Sequence, residues 1–485
     1  MMATSGRGRC TRIVLALALA VLFSLSATAL AFASGGVKLL RVSQDPYTNQ
    51  SSEHKTQVEP DTYSFGSTIV SAFQTARFSN GGADNIGWAT STNNGKTWQN
   101  GFLPGTTVYA TPPGTYDRIS DPAVAYDAKH KTWLISSLPI KGLNGAGVLV
   151  SQSTDGLTWN NPVTVTSTSG FDDKDWIACD DTSSSKFYGN CYVEWDDANN
   201  GDSVMMSVSS DGGTTWSAGQ HPANANGLGG QPVVQPNGNV IVPYAADAGT
   251  VSSFTSTNGG KSWNPSVTVA TEEVFIENAS IRNPDLPSAE IDGAGNVYVA
   301  WFDCRFEKNC SANDIVFSTS SDGNKWSAPQ LIPADPVGSG IDHFLPGIGV
   351  DKSTSGSSAH VTVLYYYFTN ASCNNSTCQL EVGTSSSTDG GATWTKGVQL
   401  AGPMKLTWLA NAGGYFVGDY NSVSFLANGK AYSVFAVATA PKHGKLNESM
   451  HTVKGGLPNS GGKYASTSIP AFTGQAPAPA IHSAF

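Results

Sequence analysis

A box of eight residues, Ser-x-Asp-x-Gly-x-Thr-Trp, occurs in full at 209–216 (SSDGGTTW) and 387–394 (STDGGATW). Four altered copies end at Trp98, Trp159, Trp263 and Trp326, with Asn for Asp, Ser for Thr or one residue fewer. Successive tryptophans lie 61, 57, 47, 63 and 68 residues apart, at or a little above the period of a propeller blade. Each box follows a short alternating strand, such as VMMSVS from Val204 or IVFSTS from Ile315. The Asp or Asn can accept from the backbone just after it, the glycines supply positive φ, and the tryptophan is sized to pack between neighbouring sheets. This is the chemistry of a hairpin turn.

A second repeat precedes each box. Strand pairs with a polar start begin near Val58, Ser120, Asp173, Gly229, Leu286, Asp342 and Gly418, which makes seven hairpins for six boxes. The expected fold is therefore all-β, a β-propeller of four-stranded blades, with seven blades and six as the alternative. A strand at 37–42 is expected to close the ring against one at 449–453, removing the free sheet edge.

The ends read differently from the middle. Arg7, Arg9 and Arg12, an apolar run at 13–23 and Ala31-Phe32-Ala33 form the pattern of a secretory signal peptide, assigned to 1–33. Residues 34–454 are expected to be one propeller domain, and the Gly/Ser/Pro-rich stretch 455–485 a flexible tail. The expected localisation is secreted and extracellular, with no stable membrane insertion.

The leader holds three of the 27 basic residues and none of the 37 acidic ones, so its removal moves the net charge from −10 to −13. That balance argues against nucleic acid as a partner. The six remaining cysteines fall in three close pairs, Cys179/Cys191, Cys304/Cys310 and Cys373/Cys378. Six cysteines allow 15 connectivities, and local disulfides are the expectation for an exported chain. Their spacings match no zinc motif, so no metal ligand set is assigned. The turn at 196–202, DDANNGD, offers oxygen ligands for a structural calcium but reads more simply as solvated; no other cofactor is expected.

Strand alternation puts the polar starts on one rim and the boxes on the other. The first rim then carries Glu59, Asp121, Asp173, Asp175, Glu290, Asp342, His343, Asp419 and Tyr420. Beyond the leader the chain has five arginines, and four of them, Arg77, Arg118, Arg282 and Arg305, map to this rim. Guanidinium groups gathered on one face suit planar recognition of an anionic group, or serve as bridges between blades.

The boxes make the chain resemble the Asp-box (bacterial neuraminidase repeat) proteins of the sialidase superfamily, over about 40–440. The resemblance implies a glycoside hydrolase in which arginines clamp a sugar carboxylate, a tyrosine is the nucleophile and an aspartate is the acid/base. Carried onto this sequence, it implies Tyr420 as nucleophile, Glu290 or Glu59 to polarise it, Asp121 or Asp175 as the acid, and Arg77, Arg118, Arg282 and Arg305 for binding, with Glu59, Asp342, His343 and Asp419 beside them. The family's Arg-Ile-Pro string is absent before the first box; Arg118-Ile119-Ser120 follows that box and lacks the proline. The expected function is a secreted sialidase-like hydrolase acting on an anionic glycan or glycoconjugate. The alternative is a non-catalytic propeller that binds glycan or protein at the same face.

Overall fold

A computed structural model describes residues 37–168 and 170–468. The expected leader, 1–33, and the last part of the expected tail, 469–485, lie outside them. The chain is all-β in a propeller arrangement, and its helical segments among the described residues are three single 3-10 turns. No helix among those residues is long and apolar enough to cross a membrane.

Five sheets follow one another along the chain as blades, with nine, three, five, four and four strands. This corrects the expected seven, or six, separate four-stranded blades. The first two hairpin units are joined by one pairing, Ala83 opposite Ile119, into the nine-stranded sheet. The last unit is not a four-stranded blade either. It is a three-stranded closure in which Leu39–Arg41 pairs with Glu448–Val453 and that strand with Val434–Ala438, beside the two-stranded pair Ser424–Phe425 and Ala431–Tyr432. The N-terminal strand thus covers the edge left by the last one, as hairpin counting predicted.

The innermost strands meet around an axis. A small cavity of about 50 Å³ is lined in turn by Asp61, Val124, Ile177, Val233, Ala289, Ile348 and Val423, one from each successive hairpin unit. Apolar clusters fill the spaces between neighbouring hairpin units, as with Trp133, Ile135 and Leu149 packed against Val70, Ala72 and Trp88.

The boxes build turns that brace one sheet on the next. In the last box Ser387 Oγ donates to Asp389 Oδ1 (2.8 Å) and accepts from Gly391 N (2.9 Å), while Asp389 Oδ1 accepts from Thr393 N (2.8 Å). Gly390 and Gly391 have φ of 69° and 88°, a region open to glycine without strain. Trp394 is fully buried, packed edge-to-face with Phe317 of the preceding sheet at a centroid separation of 5.5 Å.

The three local disulfides are formed: Cys179–Cys191, Cys304–Cys310 and Cys373–Cys378. The described part of the 455–485 stretch lies against the last box. Thr393–Trp394 pairs with Tyr464–Ala465, and Leu331 N donates to Thr467 O (2.9 Å).

Candidate functional site

Proline cannot donate to a strand ladder, so within a sheet it is confined to edges, strand starts and bulges. Pro60, Pro122 and Pro346 each follow the polar start of an innermost strand, and each falls in a register break: Val58 to Asp61, Ser120 to Ala123 and Phe344 to Gly347. A fourth break, Asp173 to Trp176, has no proline. At all four a residue other than glycine takes the left-handed conformation: Glu59 (φ 59°), Asp121 (47°), Lys174 (47°) and Leu345 (49°). Bulges of this kind re-aim side chains, and left-handed backbone at a non-glycine residue costs of the order of 1–3 kcal/mol. Three of these four residues are ionisable, and their side chains meet at one mouth of the axis.

The resulting cluster contains Glu59, Asp121, Asp173, Asp175 and Asp419 with Arg77, Lys174 and Arg282. Arg282 grips both oxygens of Asp419, and Asp419 N donates to Glu59 Oε1 (3.3 Å). Arg77 is buried, with Nη1 2.5 Å from Gln74 Oε1 and 3.9 Å from Glu59 Oε2. Gln74 Nε2 bonds Glu59 Oε2 as well. Both guanidinium groups lie over the ring of Phe416, at 4.5 and 5.1 Å from its centroid. The Lys174 ammonium sits 3.1 Å from the centroid of Tyr420.

The cluster floors a cavity of about 650 Å³, lined in part by Asp173, Lys174, Asp196, Arg282 and Asp419. The lining also includes the apolar side chains of Val274, Ile276, Ile281 and Phe302, with Glu277 among them. A smaller cavity of about 30 Å³ continues beneath it to Glu59, Arg77 and Asp121 and shares Asp173, Arg282 and Asp419. No residue lining either cavity belongs to a box turn.

Burial sets the protonation of this cluster. It pushes the Asp173 carboxyl up to about 7, helped by the negative charges of Asp121 and Asp419 and opposed by Arg282. Glu59, Asp121 and Asp175 are raised by burial too, with Asp121 and Asp419 adding to Glu59 and Asp121 to Asp175. More carboxyl groups than cations are packed here, so protons are shared among them.

The sequence-predicted residues divide into two groups. Glu59, Asp121, Asp175, Asp419, Tyr420, Arg77 and Arg282 come together. Tyr420 is buried, its hydroxyl donates to Pro122 O (3.0 Å), and burial beside Glu59 and Asp121 raises its phenol well above the ordinary value. Its hydroxyl is thus held by a backbone carbonyl rather than by a carboxylate.

Glu290, Arg118, Arg305, Asp342 and His343 stand apart. Glu290 lies in the axial cavity, 3.5 Å from Lys352 Nζ. Arg118 covers Phe78 and donates to Asn80 Oδ1 (2.7 Å) and Gly81 O (3.0 Å). Arg305 is forked on Asp303 (2.8 and 2.6 Å). Asp342 accepts from Asn313 N (2.8 Å) and adjoins Glu277 of the cavity wall, while His343 faces Asp335. In the 196–202 turn, Ala198–Asn200 forms a 3-10 turn with Gly201 left-handed behind it.

Sequence reasoning missed Lys174 and the apolar lining at 274–281. At three of the four bulges the signal was present as a proline directly after the left-handed residue. No spacing pattern marks the long connection that carries Arg282.

No family model matches this chain, and no curated protein matches it. Solved structures do. An ulvan lyase of a new polysaccharide lyase family is 13% identical over 89% of this chain and 98% of its own, with a TM-score of 0.49. A Hadza microbial sialidase is 19% identical over 64% of each chain, with a TM-score of 0.45. The NanB sialidase of Streptococcus pneumoniae is 14% identical over 85% of this chain and 70% of its own, with a TM-score of 0.42.

Proposed function

We propose that the chain is an exported, glycan-acting propeller that cleaves a glycosidic bond at this mouth by acid/base chemistry of carboxyl groups. The observation that carries the reading is the pairing of two unlike carboxyls on one cavity wall. Asp173 is partly exposed and burial pushes its carboxyl up to about 7, while both oxygens of Asp419 are gripped by Arg282. A carboxyl that holds its proton toward neutral pH beside one forked by a guanidinium gives unlike partners that can divide acid from base. Asp173 donates its proton to the departing glycosidic oxygen, and Asp419 is the base or nucleophile on the other side of the bond. Tyr420 is a positioning residue, stacked under Lys174.

The charge of the cavity bears on the substrate. Its wall holds Asp173, Asp196, Glu277 and Asp419 against Lys174 and Arg282, and the Nε and Nη2 donors of Arg282 are engaged by Asp419. That arrangement favours a neutral sugar over an anionic one at the reacting position. The apolar side chains of the lining give a face for the ring of a pyranose to lie against.

A binding module is the second reading, favoured by the engagement of all four rim arginines with partners inside the protein. The two separate on a panel of neutral, uronic and sialic glycosides tested for release of the leaving group, with Asp173→Asn and Arg282→Ala alongside. Turnover lost in Asp173→Asn supports the enzyme. Turnover undiminished in that variant overturns the assigned acid. No turnover on any substrate, with glycan-array binding lost in Arg282→Ala, identifies the module instead.

A further inference from the structure

His343 lies in a second polar pocket, outside the cluster at the mouth. Its Nδ1 stands 3.3 Å from the backbone carbonyl of Asn313, which accepts the ring proton and leaves Nε2 as the lone-pair nitrogen. Nε2 points at Asp335 Oδ1, 3.3 Å away. The imidazole is buried, its ring stacked on Tyr367 and edge-on to Tyr365. The Asp335 Oδ1 that it faces is a buried acceptor with no hydrogen-bond partner.

The surroundings repeat the pattern. Asp314 is 6% exposed, and its Oδ2 is buried without a hydrogen-bond partner. Its ligand atom, with those of Asp335 and His343, falls within 4.8 Å of the other two. Glu307 is also 6% exposed; its Oε1 accepts from Gly338 N (2.7 Å), whereas its Oε2 is buried without a partner, and its charge bears on Asp314. The second oxygen of Asp335 is taken by Ser339 Oγ, which leaves Oδ1 for the pocket. Unmade bonds to several buried carboxylate oxygens in one pocket are costly, and a cation relieves all of them together.

We propose that His343, Asp314 and Asp335, with the Glu307 carboxylate nearby, form a binding site for a divalent transition-metal ion, zinc fitting best. One imidazole nitrogen with carboxylate oxygens is an N/O donor set that suits zinc and excludes the all-oxygen preference of calcium. Two ligands about 2.0–2.2 Å from one tetrahedral ion stand about 3.4 Å apart, close to the 3.3 Å between His343 Nε2 and Asp335 Oδ1. The bond from Nδ1 to a backbone carbonyl is the outer contact that orients metal-binding histidines. The ligands come from the start of strand Asp314–Ser320, the start of strand Asp342–Val350 and the 335–339 turn, with Glu307 of the Cys304–Cys310 loop beside them. A bound ion ties these segments into one corner of the propeller.

The test is calorimetric titration of the folded full chain, stripped with chelator, using Zn²⁺, Mn²⁺ and Ca²⁺ separately, with thermal unfolding in parallel. One Zn²⁺ per chain and a raised Tm are expected, with affinity falling on the order of 100-fold in Asp314→Asn and His343→Gln. Circular dichroism identifies any variant that fails to fold. For such a variant the visible spectrum of Co²⁺ in the wild-type chain replaces it, tetrahedral nitrogen–oxygen absorption being expected. No zinc binding by folded wild type, binding unchanged in both folded variants, binding of Ca²⁺ alone, or an octahedral all-oxygen Co²⁺ spectrum would each overturn the site.

Discussion

Arg282 lies flat along the carboxylate of Asp419, its Nε 2.9 Å from Oδ1 and its Nη2 2.5 Å from Oδ2. The two residues are 137 positions apart, and their fork holds the connection at 272–287 against the last hairpin unit. Arg282→Ala leaves Asp419 facing Glu59 and Asp173 without its counter-charge. The arginine side chain is 30% exposed, so the cost is expected below that of a fully buried pair, at about 1–3 kcal/mol. Arg282→Lys keeps the charge but cannot make both bonds, and should recover only part of the loss. Urea unfolding of the three proteins at one pH checks the order.

The pH dependence of stability has a definite sign. Burial pushes Asp61, Asp84 and Asp172 up to about 6 and Asp173 and Asp181 up to about 7. An unfolded aspartate releases its proton near pH 3.9. Between pH 4 and 7 the native state therefore holds more protons than the unfolded one, and stability falls as pH rises. The box aspartates Asp155, Asp211, Asp322 and Asp389 are lowered instead, chiefly by the hydrogen bonds of their turns, so their contribution is lost as pH falls below about 4. Stability should peak near pH 4–5, and Asp173→Asn should flatten the decline toward pH 7. Urea midpoints measured from pH 3 to 8 decide it, and a wild-type maximum at pH 7 or above would contradict the assignment.

Glycan turnover should follow the same group. With Asp173 as the acid, kcat/KM falls as pH rises through about 7, because the carboxylate has no proton to give. A pH–rate profile on an activated aryl glycoside, whose leaving group needs little protonation, should lose most of that alkaline limb. Equal limbs for activated and unactivated substrates would remove Asp173 from the role.

Lys174 shows where reading the sequence stops. In a regular strand Asp173 and Asp175 point one way and Lys174 the other, so alternation puts the ammonium on the far face. The bulge between Asp173 and Trp176, with Lys174 left-handed, breaks that alternation and turns the lysine onto Tyr420. The box turns were legible because each is a local hydrogen-bond circuit of a few residues. The convergence of Glu59, Asp121 and Asp419 was legible as a shared rim, since all three follow the same strand phase. Arg305 and Arg118 have that phase too, yet other partners, Asp303 two residues away and Asn80 in the preceding hairpin unit, take them first. Phase places a residue on a rim; only three-dimensional competition among partners decides what it faces.

The box aspartates are expected to matter for folding and not for chemistry. Asp389 accepts from Thr393 N (2.8 Å) and Thr393 Oγ1 (2.6 Å) and takes the Ser387 hydroxyl at 2.8 Å. Removing these bonds in Asp389→Ala should cost about 1–3 kcal/mol, as losing hydrogen bonds to a charged group does. The turn lines neither mouth cavity, so kcat/KM per folded molecule should be unchanged. Chemical denaturation beside activity normalised to folded protein checks both halves.

The strap at 455–468 supplies the last test, because its attachment depends on one glycine. Gly462 passes so close to Trp394 that a Cβ on it would stand 2.1 Å from the Trp394 carbonyl carbon. On either side, Lys463 N donates to Trp394 O (3.0 Å) and Ser460 N to Ser386 Oγ (2.9 Å), and Ser466 N donates to Ala392 O (3.0 Å). Gly462→Val cannot keep that approach, so the strap should lift from the box and uncover the fully buried Trp394. Deleting 457–485 should have the same effect by a different route. Both proteins should lose about 1–3 kcal/mol of stability. Tryptophan emission should shift to the red in both, and a Gly462→Val chain with wild-type emission and wild-type urea midpoint would mean that the strap does not hold the box.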